Sequence, residues 1–163
     1  MRALVSEAPG DHSTLRLVEC PDPVPGPGQI VIDVRACAIN FPDSLIIQDL
    51  YQFKPARPFS PAGEAAGVVS AVGEGVTAWK PGDRVIGLTL YGGMAEKMLL
   101  DEIDVVRLPE SRSFAEGAAF FFTYGTTIHA FKDRARMKAG DSLLVLGAAG
   151  GIGISGIELG KAL

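Results

Sequence analysis

The chain has 163 residues, of which 47% are hydrophobic and 21% are charged, and its formal net charge is −4 at pH 7. This composition predicts a globular protein with enough chain for one sizeable core. The acidic balance and the scattered lysines and arginines argue against nucleic acid as a partner. No apolar run reaches the roughly 18 residues that a membrane-spanning helix needs, and no signal-peptide core follows the N-terminus. We therefore expect a cytoplasmic protein with no membrane partner.

The first 110 or so residues predict short strands separated by turns. The proline-rich run at 21–29 forms neither a helix nor a central strand, because proline lacks the N–H that both require. A short helix is expected soon after the first long strand, with Asp43 near its start. Short strands at such spacing, with Gly and Pro-Gly turns between them, indicate a β-barrel or sandwich. The predicted strands lie within 29–39, 63–76, 84–87 and 92–109.

The pattern changes near Ser113. Residues 113–135 have helical spacing, Ser113 and Glu116 fit a capping box, and Gly125 is expected to break this stretch into two helices. A turn at 138–141 leads to SLLVLG, a short apolar run that is typical of a buried parallel strand. The chain thus passes from β-rich sequence to α/β sequence near residue 115.

A glycine-rich loop follows this last predicted strand and opens a helix. Glycines let the pyrophosphate of a dinucleotide approach backbone N–H groups at a helix N-terminus, where the helix dipole favours an anion. The strand before the loop and the helix after it make the motif informative, although a glycine-rich packing turn is the alternative. In a G-x-G-x-x-G alignment, alanine takes the first glycine position. The predicted dinucleotide-binding residues are Ala148, Gly150, Gly151, Ile152 and Gly153.

Six stretches, taken together, resemble the medium-chain dehydrogenase/reductase superfamily, and within it the zinc-independent quinone oxidoreductase branch. They follow one another along the whole chain, which makes the resemblance more specific than any single motif. The stretches are ACAINFPDSL, PAGEAAGVVSAVGEGV, KPGDRVIG, GGMAE, TYGTTIHAF and VLGAAGGIG.

The resemblance implies a mixed fold in two domains. A GroES-like β-rich substrate domain, a partial barrel, is expected at residues 1–115, and the start of a Rossmann dinucleotide-binding domain at 116–163. A Rossmann domain of this superfamily completes a six-stranded sheet, whereas this sequence carries only the first strand and the first helix. The resemblance therefore implies that the chain is the N-terminal half of a longer parent protein. It also implies that the full-length parent forms a homodimer.

The resemblance also bears on zinc. Zinc-dependent relatives take one catalytic ligand from a cysteine at the position of Asn40 and a second from a histidine at the position of Gly63. A catalytic zinc needs three protein ligands, so two are missing here. Cys37 does not match the ligand position, and it and Cys20 are expected to be reduced thiols. We expect no metal site, which argues against alcohol dehydrogenase-type activity because the carbonyl then lacks its Lewis acid.

The resemblance further marks the candidate catalytic residues Asn40, Asp43 and Tyr51, and Thr127 as a contact of the nicotinamide carboxamide. Asn40 would hydrogen-bond the nicotinamide or the acceptor, or serve only as a turn residue. Asp43 is also a candidate helix N-cap, and both roles can coexist. Tyr51 would donate to a developing enolate or quinol oxygen, or gate the cleft as a loop aromatic. Alternatively, Thr127 is an ordinary residue on a helix surface with no contact to the cofactor.

These expectations converge on one reaction. The full-length parent is expected to transfer hydride from NADPH, with NADH as the alternative cofactor, to an electrophilic small molecule such as a quinone or an α,β-unsaturated carbonyl. Such acceptors depend less on a Lewis acid, because the cofactor supplies the chemistry and the protein supplies position. The isolated chain is expected to be inactive. The rival hypothesis is a GroES-like interaction or regulatory module without catalysis.

Overall fold

The computed structural model describes all 163 residues. The chain divides into two compact units, Met1–Ala119 and Phe120–Leu163. The first unit contains every β-strand of the structure, and the second contains only helices and loops. The seven strands are β1 (Arg2–Val5), β2 (Arg16–Glu19), β3 (Gln29–Ala38), β4 (Glu64–Val72), β5 (Arg84–Leu88), β6 (Lys97–Asp101) and β7 (Val105–Arg107).

The first unit is built on a five-stranded antiparallel sheet in the order β6-β3-β4-β5-β7, with β1 and β2 forming a separate two-stranded sheet. The prediction of short strands joined by turns is confirmed, and the proline-rich run at 21–28 forms no helix or strand. Strands β3 and β4 pair from Ile30 opposite Val72 to Ala38 opposite Glu64, with two register shifts between. These bulges bend the strands, as the curvature of a partial barrel requires.

The core of the first unit lies on the central strands. Successive residues Ile30, Val31 and Ile32 are all buried, so the start of β3 is covered on both faces rather than on one. Burial of aliphatic and methionine side chains is the main term that stabilises such a sheet. The buried members of this cluster are Ile30, Ile32, Ala65, Val69, Val85, Met98, Leu100 and Val105.

The first unit has two short α-helices, α1 (Phe41–Ile46) and α2 (Phe114–Ala118), and two single-turn 3₁₀ helices at His12–Thr14 and Glu102–Asp104. The predicted capping box at the start of α2 is confirmed, because the Ser113 hydroxyl accepts from the Glu116 N–H at 3.2 Å and the Glu116 carboxylate accepts from the Ser113 N–H at 2.8 Å. Such a cap satisfies N–H groups that have no partner inside the helix.

The second unit begins with a continuous helical stretch. A π-helical turn at Phe121–Gly125 leads into α3 (Thr126–His129), and a second π-helical segment follows at Ala130–Ala135. The expectation that Gly125 breaks the helix is wrong, because its φ of −62° and ψ of −46° are ordinary right-handed helical values. The last helix is α4 (Gly151–Ala162). No helix in the structure is both long and apolar enough to cross a membrane.

The strand predicted for SLLVLG does not form. Residues 141–145 have no regular secondary structure, and no other segment of the chain pairs with them as a strand. Leu144 and Leu146 are 84% and 85% exposed. Apolar character alone predicts a strand here, but a strand exists only when a neighbouring strand takes up its N–H and C=O groups.

Candidate functional site

The Asp43 carboxylate joins the start of α1 to a tight turn that precedes β4. The Asn40 N–H donates to Oδ2 at 2.6 Å, and the Ala62 N–H donates to Oδ1 at 3.1 Å. Asp43 is 6% exposed, and burial raises the pKa of its carboxyl while the two N–H donors act against that shift. Ala62 has a φ of 66°, in the left-handed region. Each carboxylate oxygen thus accepts a hydrogen bond from one backbone N–H group, so Asp43 fixes the position of Asn40.

Asn40 has an unused donor. It caps α1 in an extended conformation, and its Nδ2 atom is buried without a hydrogen-bond partner in the chain. Leaving a buried N–H group unpaired costs about 1–3 kcal/mol. A carbonyl or carboxamide oxygen that binds at this atom therefore recovers a hydrogen bond that the protein alone does not make.

Tyr51 and Cys37 lie in the same unit. Tyr51 is half-buried in the loop after α1 and packs against Ile46, Ile47 and Phe59. Cys37 is half-buried near the end of β3, and burial raises the pKa of its thiol. A thiol whose pKa is raised stays protonated at neutral pH, so Cys37 is poorly suited to act as a nucleophile or a metal ligand.

The position of Gly63 has no room for a side chain. A Cβ atom built there would lie 2.5 Å from the Thr89 carbonyl oxygen and 3.1 Å from the Leu90 Cα. The next residue, Glu64, is fully buried at the start of β4. No group of three or more His, Cys, Asp or Glu side chains in the structure is placed to hold a metal ion.

The glycine loop of the second unit turns tightly into α4. Gly147 has a φ of 68°, and its carbonyl oxygen accepts from the Gly150 N–H at 3.0 Å. A Cβ on Gly153 would lie 2.4 Å from the Gly147 oxygen and 2.7 Å from the Ala148 Cα, so the loop packs on the helix only where glycine stands. The helix repeat begins with the bond from Ile154 N–H to the Gly150 oxygen. The N–H groups before it in α4 have no carbonyl partner within the helix, as in the first turn of any α-helix.

A groove of about 450 Å³ lies beside this loop within the second unit. It is bounded by the loop and the start of α4, by the apolar segment before them, and by α3 with the residues that follow it. The wall is mainly apolar side chains and glycine backbone, which suits a ligand with a flat or apolar portion. Its lining includes Thr126, Thr127, Leu144, Leu146, Gly150 and Gly153.

Thr127 is buried, and its hydroxyl is engaged within the second unit. Its Oγ1 atom donates to the Thr123 carbonyl oxygen at 2.8 Å and lies 2.7 Å from the Ser155 Oγ. This contact links α3 to α4 through two hydroxyl groups. Ser155 also lies 3.1 Å from the Ile152 carbonyl oxygen. Thr127 therefore has a packing role whatever else it contacts.

Two other polar residues of this unit bond to neighbours on the helices. The Tyr124 hydroxyl donates to the Glu158 carboxylate, a bond that raises the pKa of the tyrosine. His129 is exposed and its Nδ1 lies 2.7 Å from the Asp133 carboxylate one turn later. His129 is thus a solvent-facing partner of a carboxylate rather than a packed core residue.

Sequence reasoning missed two features. Phe53, Phe59 and Tyr91 form an aromatic cluster in the first unit, although Tyr91 is distant in the sequence from the two phenylalanines. Ser155 pairs with Thr127 across 28 positions. Neither pairing follows a helical or strand period, so only the folded chain reveals it.

Comparisons with known proteins identify the family to which the first unit is similar. Residues 26–110 match the model of the Alcohol dehydrogenase GroES-like domain. The chain is 38% identical to the human synaptic vesicle membrane protein VAT-1 homolog over 161 residues, and 40% identical to human quinone oxidoreductase over 141 residues. Among solved structures, the quinone oxidoreductase from Thermus thermophilus, which has also been determined in complex with NADPH, superposes with a TM-score of 0.87 at 33% identity.

The matches cover nearly all of this chain but only part of each relative. They span 98% and 86% of the chain against 41% of the VAT-1 homolog and 43% of human quinone oxidoreductase. The superposition spans 99% of the chain and 50% of the Thermus enzyme. The chain therefore spans about two fifths to one half of the length of these relatives.

Proposed function

The chain belongs to the quinone oxidoreductase branch of the medium-chain dehydrogenase/reductase superfamily, and from this premise we propose that the parent protein transfers hydride from NADPH to a quinone or an α,β-unsaturated carbonyl without zinc. NADH is the alternative cofactor, and a neutral electrophilic small molecule is the substrate class. The cytoplasmic location and the homodimeric state of the parent protein are predictions made from the sequence.

The buried, unpaired Nδ2 of Asn40 is the observation that carries the proposal. A hydride acceptor develops negative charge on its carbonyl oxygen, and a preorganised N–H donor aimed at that oxygen stabilises the charge. The nicotinamide carboxamide oxygen is the other group that this donor suits. Asp43 acts as a positioning residue, because its carboxylate holds the Asn40 N–H at 2.6 Å.

The glycine loop supports the cofactor assignment. The N–H groups at the start of α4 are available to a pyrophosphate, and the absence of a Cβ at Gly153 keeps the loop closed against the helix. We assign this role to Ala148, Gly150, Gly151, Ile152 and Gly153. When bound, the cofactor supplies the hydride, and the protein supplies orientation and local electrostatics. Thr127 is proposed to contact the carboxamide in addition to its bond with Ser155.

The close approach of Gly63 to Thr89 supports a metal-free site. A histidine at residue 63 needs a Cβ where the Thr89 carbonyl oxygen already lies 2.5 Å away. Asn40 supplies an amide, which is a poor zinc ligand compared with a thiolate. A quinone or an enone is already electrophilic, so hydrogen bonds from Asn40 and from the Tyr51 hydroxyl suffice in this proposal.

We propose that the 163 residues alone bind NADPH weakly and do not turn over. Hydride transfer depends on near-attack geometry, and positioning of that kind is worth roughly 7–11 kcal/mol of barrier. The relatives that carry the named activity are more than twice as long as the region matched here. The remaining part of the parent is expected to supply the ribose-selecting residue and the adenine pocket.

The test is a quinone-reduction assay of the parent protein, followed by loss of NADPH fluorescence, with an Asn40→Ala variant. Removing the amide is expected to lower kcat/KM about tenfold to a hundredfold, in line with one lost buried donor. Gln48→Ala is the matched control, because Gln48 is an amide near the end of α1 that already bonds the Ser44 carbonyl oxygen at 2.6 Å.

Three results would count against the proposal. Activity that is unchanged in Asn40→Ala would remove the role of the amide. Stoichiometric zinc that survives dialysis would contradict the metal-free site. An inactive parent would favour the interaction-module hypothesis instead.

A further inference from the structure

The first unit exposes a stacked aromatic pair that the proposed reaction does not use. The rings of Phe53 and Tyr91 have centroids 6.0 Å apart and planes inclined by 21°. Tyr91 also meets Phe59 edge-on, with centroids 5.8 Å apart. Phe59 is buried, whereas Phe53 and Tyr91 are 36% and 43% exposed. We call the exposed pair, Phe53 and Tyr91, the aromatic shelf.

The Tyr91 half of the shelf is held in place by hydrogen bonds to the backbone of its loop. The Thr89 hydroxyl donates to the Tyr91 carbonyl oxygen at 2.6 Å and accepts from the Tyr91 N–H at 3.2 Å. The segment 89–94 is also bonded to the segment 60–63 by four backbone bonds of 2.6–2.9 Å. A ring on such a fixed loop loses little conformational entropy when a ligand binds to it.

The shelf is structurally continuous with the proposed acceptor site of the same unit. The Ala62 N–H donates to Asp43, and the Ala62 carbonyl oxygen accepts from the Gly93 N–H at 2.7 Å. Tyr51 packs against the cluster that contains Phe59, which in turn contacts Tyr91. The same short segment therefore connects the residues that position Asn40 with the loop that carries the shelf.

Charge near the shelf favours a neutral ligand. Arg57 stacks over the Phe59 ring at 5.3 Å, but its guanidinium is paired with the Asp49 carboxylate at 2.8 Å and also donates to the Ile47 carbonyl oxygen. Its charge is therefore largely compensated. Electron-rich phenyl and phenol faces attract flat, electron-poor rings in offset stacking. A quinone fused to a second ring has that shape and that electronic character.

We propose that the aromatic shelf binds the second ring of a planar, neutral acceptor, and that Phe53 and Tyr91 thereby select bicyclic quinones over monocyclic ones. The proposal rests on the proposed function, because it assigns the substrate class of the same site. The shelf adds affinity by stacking and takes no part in hydride transfer, so Phe53 and Tyr91 are specificity-determining rather than catalytic residues.

The experiment measures binding of two quinones to the 163-residue chain without any cofactor. The probes are 2,3-dimethyl-1,4-naphthoquinone and tetramethyl-1,4-benzoquinone, whose substituted quinone carbons block addition of the two free thiols. Ligand-observed NMR titration is expected to show the naphthoquinone binding at least about fivefold more tightly, which matches one aromatic contact. Tyr91→Ser and Phe53→Leu should each remove most of this preference while leaving affinity for the benzoquinone unchanged.

Two controls separate stacking from other causes. Tyr91→Phe keeps the ring and is expected to behave like the unaltered chain. Phe120→Leu removes the exposed ring of a second stacked pair, Phe120 with Tyr124, whose centroids are 5.1 Å apart, and should also change nothing. Circular dichroism and thermal unfolding check that each variant is folded. If Tyr91→Ser does not fold, the naphthoquinone preference of Phe53→Leu decides the test.

A naphthoquinone preference that survives both Tyr91→Ser and Phe53→Leu would overturn the proposal. So would equal affinity for the two quinones in the unaltered chain, or no binding of the naphthoquinone up to its solubility limit. None of these results bears on hydride transfer itself. That reaction is tested separately, by NADPH-dependent reduction of the monocyclic quinone by the parent protein, for which the shelf is not required.

Discussion

The two units of this chain bury different kinds of residue. The first unit closes a sheet over large aliphatic side chains such as Ile32, Met98 and Leu100, all at most 2% exposed. In the second unit, the buried residues of α3 and α4 are Thr127, Gly153, Ser155 and Gly156. Hydroxyl bonds and glycine contacts position a loop well, but they bury little apolar area. The difference teaches that hydrophobic burial stabilises the first unit, whereas the second unit holds a glycine loop in a tightly packed shape.

Hydrogen exchange offers the largest expected contrast between the two units. Amides near the start of β3, such as those of Ile30 and Ile32, are expected to open only with global unfolding, whereas Leu144 and Leu146 have no ladder to protect them. Protection should differ by a factor of about a thousand or more. Mass spectrometry of exchanged peptides measures it, and equal protection in a proven monomer would contradict the comparison.

Two matched substitutions to alanine should show the same contrast in the free energy of unfolding. Ile32→Ala removes a fully buried side chain and is expected to destabilise the chain by about 2–4 kcal/mol. Leu144→Ala removes a side chain that is mostly exposed and should change stability by less than about 0.5 kcal/mol. Urea denaturation followed by circular dichroism compares the two. A larger loss for Leu144→Ala would show that the second unit has an apolar core after all.

Much of the fold is readable from the sequence where local rules and tertiary packing agree. Alternation from Ile30 onward predicts β3, and Ser113 with Glu116 predicts the start of α2, because a strand face and a helix cap are set by nearby residues. The rule that glycine breaks a helix fails at Gly125, where the chain stays helical through a π-helical turn. The strand rule fails at 142–146, because pairing depends on another segment.

The candidate site is less readable than the fold. The sequence marks Asn40 and Asp43, but not that Asp43 is bound by two N–H donors while the Asn40 amide is left unpaired. Those facts depend on Ala62, which approaches from 19 positions away with a left-handed φ. The aromatic shelf likewise requires residues 53 and 91 to meet. Contacts between distant positions have no periodic signal in one sequence.

Substitution of two glycines in the second unit is expected to sharpen the description of its loop. Gly153→Ala places a Cβ 2.4 Å from the Gly147 oxygen, so the loop must move away from α4 at a cost of about 1–3 kcal/mol. Gly125→Ala meets only a Phe121 side-chain carbon at 3.9 Å and should be neutral or stabilising by up to about 1 kcal/mol. Thermal unfolding of both variants gives the comparison, and equal effects would contradict the tight packing at Gly153.

The smallest expected effect is a pH dependence carried by Asp43 in the first unit. Because burial raises the pKa of its carboxyl in the folded protein above the ordinary value of 3.8 for an aspartate, the folded protein binds this proton more tightly than the unfolded chain does. Its stabilising contribution is therefore fully present below pH 3.8 and is lost as the pH rises through the folded pKa.

An Asp43→Asn variant isolates that contribution. The variant is less stable at every pH, since an amide nitrogen replaces one acceptor oxygen opposite a backbone N–H donor. The stability advantage of Asp43 over asparagine should grow as the pH falls from 7 towards 4, because only the carboxyl takes up a proton. Urea denaturation at pH 7, 5.5 and 4.5 measures the difference, and an advantage that shrinks towards acid would reverse the assigned direction.

The contact at Gly63 also bears on how one chemistry changes into another within a superfamily. By the family resemblance, metal-dependent relatives have a cysteine at the position of Asn40 and a histidine at the position of Gly63. Adding a metal site to this chain would then mean replacing Asn40 and Gly63 with those two side chains. Here the second exchange is blocked by main chain, because the Thr89 carbonyl oxygen and the Leu90 Cα stand where the new side chain must begin. The bonds from Thr89 N–H to the Gly63 oxygen and from Gly93 N–H to the Ala62 oxygen, both 2.7 Å, keep the two segments together. Any side chain at residue 63 therefore requires these two backbone segments to move apart first, so a single substitution there is not enough to introduce a ligand.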